Sequence, residues 1–189
     1  MPIWFFSTNK KSVKIIKALF AASVPLIILM IAGSLQADPV AATAFSVMGT
    51  VDFAPPQSIS FSPLKAGQVL PVGSTVRTGD NGKAVLQATP GSAVELGNDS
   101  ILKINELAFQ KTGGAVTERK ARLELTSGVV SALVDPSTPK VTDFKIQTPE
   151  GALVARGTLY TVAVKNGKTY TTVDEGKISA IATPSRGSL

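Results

Sequence analysis

The chain has 189 residues, of which 44% are hydrophobic and 17% are charged, with 19 lysine and arginine residues against 13 acidic ones. It contains no cysteine and no histidine. This composition excludes disulfide bonds, metal sites built on thiolates or imidazoles, and catalytic relays that need a cysteine or a histidine. We therefore expect no metal site and no cofactor.

The first 37 residues differ in composition from the rest of the chain. Their only charged side chains are four lysines, and the following stretch, Ala18–Gly33, is uncharged and largely apolar. A basic start, a short apolar region and a small residue, Ala37, before the cleavage point are typical of a cleaved secretory signal peptide. A signal helix is therefore predicted within residues 1–37. The alternative is an uncleaved membrane anchor, although a spanning helix usually needs about 20 apolar residues. Both interpretations predict that the body is exported.

Without this leader, the charge of the chain is nearly balanced. Nineteen basic residues minus the four leader lysines leave 15 against 13 acidic residues. The basic cluster Glu118–Arg122 is flanked by glutamates, and we interpret it as a solvated strand face. Nucleic-acid binding calls for a basic patch on the folded domain, so no nucleic-acid partner is expected.

The body consists of short apolar segments separated by turn residues. Turn signals rich in Gly, Pro, Asn and Asp follow one another closely between Gln68 and Ser100. The segments between turns alternate with period two or form short apolar runs, as strands do. The predicted strands cover residues 43–53, 74–77, 83–88, 93–96, 101–104, 116–126, 129–134, 144–148, 152–154, 158–165, 169–174 and 177–182. The predicted fold class is all-β.

Two segments carry signals for particular elements. Glu118–Leu125 contains good helix formers, but its apolar residues also alternate, and Gly113-Gly114 and Ser127-Gly128 bound it, which favours a strand. Asn166-Gly167 lies between two alternating runs. This dipeptide predicts a β-hairpin, because a type I′ turn needs positive φ at both central residues.

Three stretches of the body form a pattern. The first is Thr148–Val164, with the sequence TPEGALVARGTLYTVAV, the second comprises Leu70, Gly73, Thr78, Gly79 and Ala84, and the third is Glu175–Ile181. Together these stretches resemble the FecR domain, an extracytoplasmic β-rich module. Their order and spacing extend the resemblance over about residues 45–182. The resemblance implies short strands in a stacked two-sheet or β-helix-like (solenoid) domain.

The resemblance also suggests a domain organisation and a location. We expect a signal peptide over residues 1–37, a linker over 38–44, the FecR-like domain over 45–182 and a flexible tail over 183–189. In better-known members a cytoplasmic segment binds a sigma factor. Only about 17 residues precede the apolar stretch here, too few for a folded regulatory domain, so that role is not carried over. The expected location is periplasmic or secreted, with an inner-membrane anchor facing the periplasm as the alternative.

Arg156 is the first candidate for a contact with a partner or an anionic group, because it interrupts the apolar run of the first stretch. The alternative is that its five-donor fork ties two layers together, with Glu150 or Glu175 as its partner. The candidate partner-binding set is Arg156, Gly157, Thr158 and Tyr160. The predicted structural turn residues are Gly73, Gly79, Thr148, Pro149, Gly151 and Gly176.

The function class expected from these features is a non-catalytic interaction or sensing module of the bacterial envelope, docking on an envelope or outer-membrane protein or on a polymer. Docking is expected by strand addition or through a sheet face. The alternative is a self-associating structural protein, since uncapped β units can stack. Asp174 and Glu175 would point to opposite faces of a strand, so they form no acid–base pair. We predict no enzymatic activity, and a membrane contact only through an uncleaved leader.

Overall fold

The structure is a computed structural model that describes residues 40–182, and every described element in it is a β-strand. The strands are β1 (Ala42–Met48), β2 (Val51–Ala54), β3 (Ser62–Pro63), β4 (Val69–Leu70), β5 (Thr75–Thr78), β6 (Lys83–Thr89), β7 (Ser92–Leu96), β8 (Ile101–Thr112), β9 (Ala115–Val134), β10 (Thr142–Thr148), β11 (Gly151–Ala155), β12 (Leu159–Lys165), β13 (Lys168–Glu175) and β14 (Ile178–Ala182). The prediction of an all-β fold is confirmed.

The described strands form one curled sheet that consists of two halves joined through β9. In half I the order of neighbours is β3-β2-β5-β8-β9-β10-β11-β14. In half II the order is β4-β1-β6-β7-β9-β12-β13. Only the β9–β10 pair is parallel among the described pairings, whereas the stacked strands of a β-helix run parallel. The pairing pattern is therefore that of two antiparallel half-sheets.

The 20-residue strand β9 passes from one half to the other at Gly128. Ser127 pairs with β8 in half I, and Gly128 already pairs with Val164 of β12 in half II. At this point Ser100 Oγ accepts a hydrogen bond from Val129 N at 2.9 Å and donates one to Val129 O at 3.0 Å. Gly128 has φ +90°, and a Cβ there would collide with Ser100. The sequence predicted two separate strands here, but the glycine bends one strand instead of ending it.

The segment in which a helix competed with a strand forms the longest hairpin of the structure. β8 and β9 pair antiparallel from Ile101↔Ser127 to Thr112↔Ala115, across the turn at Gly113-Gly114. Strand β8 thus continues well beyond the predicted end at Ile104. In β9 the apolar residues Ala121, Leu123 and Leu125 are buried at every second position, which only an extended backbone can place on one face. The prediction of short strands is therefore wrong for β8 and β9, which have 12 and 20 residues.

One hydrophobic core lies between the two halves. Alternating burial is complete in β10, where every second residue from Thr142 to Thr148 is buried. The largest fully buried side chains come from both halves and include Tyr160, Phe144, Leu70, Leu86, Leu96 and Leu102. Packing of both inner faces into one cluster is how a two-layer β domain removes its apolar surface from water.

The described part of the chain begins before the predicted domain boundary. Ala42 and Ala44 of β1 are 1% and 0% exposed and belong to the core, so this end of the predicted linker 38–44 is part of the domain. The predicted strand 43–53 is divided by a bend at Gly49-Thr50 into β1 and β2. The predicted signal helix and tail lie outside the described residues. Within residues 40–182 there is no helix of the length and apolar character needed to span a membrane.

Candidate functional site

The strands β13 and β14 follow each other in the chain but belong to different halves of the sheet. Only Gly176 and Lys177 separate them. β13 pairs with β12 in half II, and β14 pairs with β11 in half I. We call this arrangement the β13–β14 arch. Each strand is the last of its half, so within the described residues each has one edge without a strand partner.

An open groove of about 320 Å³ lies between the two strands of the arch. Thr169 and Thr171 line it from β13, Ala180 and Ala182 line it from β14, and Leu153 contributes from β11. These side chains are small or apolar, and most of those on β13 and β14 are exposed. The sheet halves are thus not closed over each other at this side.

The turn between β10 and β11 holds one end of the arch. Glu150 Oε2 accepts a hydrogen bond from the Thr169 backbone N–H at 2.6 Å, and Oε1 accepts one from Lys168 Nζ at 3.2 Å. Thr169 Oγ1 also donates to Thr148 Oγ1 at 2.9 Å. The hydrogen bond from the Thr169 backbone, followed by that from Lys168, lowers the pKa of Glu150. The predicted turn residues Thr148, Pro149 and Gly151 therefore belong to a turn that fixes β13.

Gly157 and Thr158 hold the other end of the arch. Thr158 Oγ1 donates to Lys177 O at 2.9 Å, and Thr158 exchanges two backbone hydrogen bonds with Val134, at 3.1 and 3.0 Å. Gly176 has φ +87°, and a Cβ on it would lie 2.6 Å from Gly157 O. Only glycine fits this approach without a shift of the backbone. Thr158 is 3% exposed, so its side chain serves the arch and does not face a partner.

Tyr160 was predicted to contact a partner, but the structure places it in the core. Its side chain is 0% exposed, and its hydroxyl group has no hydrogen-bond partner among the described residues. Burial raises the pKa of the Tyr160 phenol, because the charged form would lose its hydration. Tyr170, the other tyrosine, is exposed on β13 and pairs with Ala163. The hairpin predicted between them is confirmed, with φ of 53° at Asn166 and 73° at Gly167.

Arg156 lies on the surface beside the arch. It is exposed, and the described residues contain no ion pair that joins it to an acidic side chain. Glu150, one of its two predicted partners, instead binds Lys168 and the Thr169 backbone. The hypothesis that Arg156 ties two layers together through Glu150 is therefore not what the structure shows.

A buried arginine, Arg119, ties elements together, although it belongs to the basic cluster that was predicted to be a solvated strand face. Its side chain is 5% exposed. Nε donates to Pro90 O at 2.9 Å, Nη1 to Asp135 O at 3.3 Å and to Thr142 Oγ1 at 3.4 Å, and Nη2 to Asp135 Oδ2 at 3.2 Å. Asp135 has a lowered pKa, chiefly through hydrogen bonds from Ser137 and further through Arg119. Arg119 thus joins the β6–β7 turn, the loop after β9 and strand β10.

The sequence contains a signal for the burial of Arg119. Arg119 stands two residues before Ala121, and Ala121, Leu123 and Leu125 form the alternating apolar face of the strand. The three residues are 1%, 2% and 0% exposed. Because every second residue of a strand lies on the same face, the strand prediction also places Arg119 on this inner face.

The remaining predicted turn residues serve the scaffold. Gly73 N donates to Ile104 O at 2.6 Å, and Gly79 N donates to Thr50 O at 2.9 Å. The first bond joins the turn before β5 to β8, and the second joins the turn after β5 to the bend between β1 and β2. Residues 40–182 include no group of three or more acidic, histidine or cysteine side chains that could hold a metal ion.

The fold is an all-β module in which β13 and β14 each have an edge without a strand partner among the described residues. In a comparison with known families, the model of the FecR protein family matches residues 74–179, which is more than half of the chain. The chain therefore belongs to the FecR family, as its motifs indicated. The match extends from the residue before β5 into β14 and includes most of the arch. No curated protein and no solved structure is significantly similar to the chain.

FecR proteins are a regulatory sensing family that is not known for enzymatic activity, and their domains are typically extracytoplasmic. Membership of the family implies a signalling or sensing module of the envelope.

Proposed function

We propose that this chain is an exported, non-catalytic interaction module of the bacterial envelope that docks on another envelope protein through the β13–β14 arch. The leader is taken to direct export and to be cleaved, which leaves the domain in the periplasm or outside the cell. If the leader is retained, the domain faces the periplasm from the inner membrane. An outer-membrane protein is the partner that this location favours.

The observation that carries this proposal is the exposure of β13 on both of its faces. Seven of its eight residues are exposed, and the strand pairs only with β12 among the described elements. An unpaired strand edge offers a row of backbone donors and acceptors to an added strand. β14 has a second such edge on the other side of the groove. An extended segment of a partner can thus form main-chain hydrogen bonds with β13 or with β14.

Exposed apolar side chains add to the backbone edges. Val173 and Ile181 are 40% and 57% exposed. Val173 shares the face of β13 that carries Thr169 and Thr171, and Ile181 lines the groove. Removing about 100 Å² of such surface from water contributes about 2.5 kcal/mol before the costs of association. Arg156 and Gly157, the surface members of the predicted contact set, flank the arch and extend the same surface.

Cross-linking in living cells tests this proposal with two neighbouring substitutions. Thr171→Lys places a charge in the groove, whereas Thr172→Lys places the same charge on the opposite face of the same exposed strand. Tagged wild type and both variants are cross-linked in the native host, and partners in the envelope fraction are identified by mass spectrometry. We expect one dominant partner with wild type and Thr172→Lys, and its loss with Thr171→Lys. A partner retained equally by both variants, or no partner at all, would refute docking through the arch.

A self-associating structural protein is the second candidate, because the same free edges could pair between copies of the chain. In that case wild-type cross-links join the protein mainly to itself, and Thr171→Lys abolishes them. Sedimentation of the purified protein separates the two functions. A monomer at high concentration together with a distinct cross-linked partner favours docking, whereas concentration-dependent oligomers favour assembly.

A further inference from the structure

A second concave surface lies on the outer face of half I, beside the arch. It is a notch of about 460 Å³, lined by Val154, Arg156, Gly157, Lys177, Ser179 and Ile181. Val154 of β11 and Ser179 of β14 are directly opposite each other in the strand register. Their neighbours Leu153 and Ala155 point into the core, so Val154 and Ser179 lie on the outer face of half I. Ile181 lines both the notch and the groove, so the two surfaces are adjacent.

The notch brings together two cations that have no acidic partner in the described residues. Arg156 and Lys177 are both exposed, and neither belongs to an ion pair within 4.0 Å. A third cation, Lys145, is opposite Val154 on β10 and also lacks an ion pair. The acidic groups nearest in the register are engaged elsewhere, since Asp143 binds Arg122 and Glu150 binds Lys168. Glu175, two residues before Lys177, pairs with neither cation.

The same anchor fixes the backbone at both cations. Thr158, two residues after Arg156, is held to Val134 by two backbone hydrogen bonds. Its Oγ1 donates a hydrogen bond to Lys177 O, which fixes the backbone at Lys177 as well. Gly157 and Gly176 are in close contact at this point. The two side chains therefore start from positions that are fixed relative to each other, which lowers the entropy cost of binding one ligand with both.

We propose that this notch is a binding site for a phosphate group. The guanidinium of Arg156 matches the geometry of phosphate oxygens with two parallel hydrogen bonds, and Lys177 adds a compact point charge. The hydroxyl of Ser179 supplies a third donor. Val154 and Ile181 supply the apolar part of the notch lining. This site goes beyond the docking function and does not depend on it.

The test measures binding of inorganic phosphate to the protein purified from cells that express the full sequence. Calorimetric titrations at constant ionic strength compare wild type with Arg156→Gln, Lys177→Gln and the control Lys165→Gln. Lys165 is an exposed lysine at the end of β12 that does not line the notch. We expect one site in wild type, a loss of affinity of about tenfold or more in each notch variant, and no change in the control. Arg156→Lys keeps the charge without the fork and should show an intermediate loss.

A second arm decides whether the phosphate is free or part of a lipid. The same proteins are sedimented with phosphatidylcholine vesicles, with and without phosphatidic acid. Binding only to vesicles with phosphatidic acid, lost in both notch variants and kept in the control, supports the site and assigns it to a lipid headgroup. No binding in either arm, or an equal loss in Lys165→Gln, would overturn it. Unchanged thermal unfolding midpoints without phosphate verify that the variants are folded.

Discussion

Replacing Tyr160 with phenylalanine should make this protein more stable. The tyrosine side chain is fully buried in β12, and its hydroxyl group has no hydrogen-bond partner in the described residues. Leaving a buried polar group unsatisfied costs about 1–3 kcal/mol, because the group loses its hydrogen bonds to water on folding. Phenylalanine has the same ring without that group, and the space it leaves is only the size of one oxygen atom. We therefore expect the free energy of unfolding to rise by about 1 kcal/mol.

Urea denaturation measures this change directly. A higher midpoint at an unchanged slope is the expected result, and the thermal midpoint should rise by about 3 °C for a domain of this size. Tyr170→Phe is the matched control, because the Tyr170 ring is 60% exposed on β13 and its hydroxyl group can bind water. It should change the stability very little. A loss of about 1 kcal/mol with Tyr160→Phe would mean that the hydroxyl group is hydrogen-bonded in the folded protein, and the reasoning would be refuted.

The pH dependence gives the same prediction an independent readout. Burial raises the pKa of Tyr160 above its ordinary value of 10.0, so above pH 10 the unfolded state releases this proton and the folded state retains it. Stability then falls with rising pH, with a slope of about 1.4 kcal/mol per pH unit for this group. Tyr160→Phe should remove that part of the alkaline slope, whereas Tyr170→Phe should leave it in place.

Three further substitutions test the interactions that shape the site. Arg119→Ala should lower the free energy of unfolding measured in urea by about 2–3 kcal/mol, because the carbonyl groups of Pro90 and Asp135, the Asp135 carboxylate and the buried Thr142 hydroxyl lose a charged donor. An effect below about 0.5 kcal/mol would contradict this role. Gly176→Ala should cost about 1–2 kcal/mol through its positive φ and its contact with Gly157, more than Gly113→Ala, which has open space around it. Glu150→Gln should flatten the acid limb of the stability curve. The lowered pKa of Glu150 gives stability above pH 4.5 that is lost as pH falls through the folded-state value, and an unchanged acid limb would count against it.

The contrast between the two arginines shows where sequence reasoning reached its limit. Arg156 stood out because it interrupts an apolar run, yet it follows the last residue of β11 and its side chain is exposed. Arg119 is surrounded by charged residues in the sequence, but the alternation of the strand places it inside. Local composition describes the neighbours along the chain. Burial depends on which side of the strand faces the second half of the sheet.

The strand β9 shows the same limit at the level of topology. Ser127-Gly128 is a turn signal, and a glycine with positive φ does occur there. Whether such a glycine ends a strand or bends it depends on whether new pairing partners are available beyond it. Here β7 and β12 provide them, both of which are remote from Gly128 in the sequence. The free edges of β13 and β14 have the same origin, since they exist only because the two strands joined half-sheets on opposite sides of the core.

The sequence by itself determined the all-β class, most strand positions and the Asn166-Gly167 hairpin, because period-two alternation and turn chemistry depend on the side chains and φ angles of a few adjacent residues. It also determined family membership, because the motifs of the family occur in the chain in the expected order. The tertiary structure decided that Tyr160 is buried, which loops Arg119 joins, and that β13 and β14 form an open arch. Each of these depends on contacts between residues far apart in the chain, which no local pattern specifies.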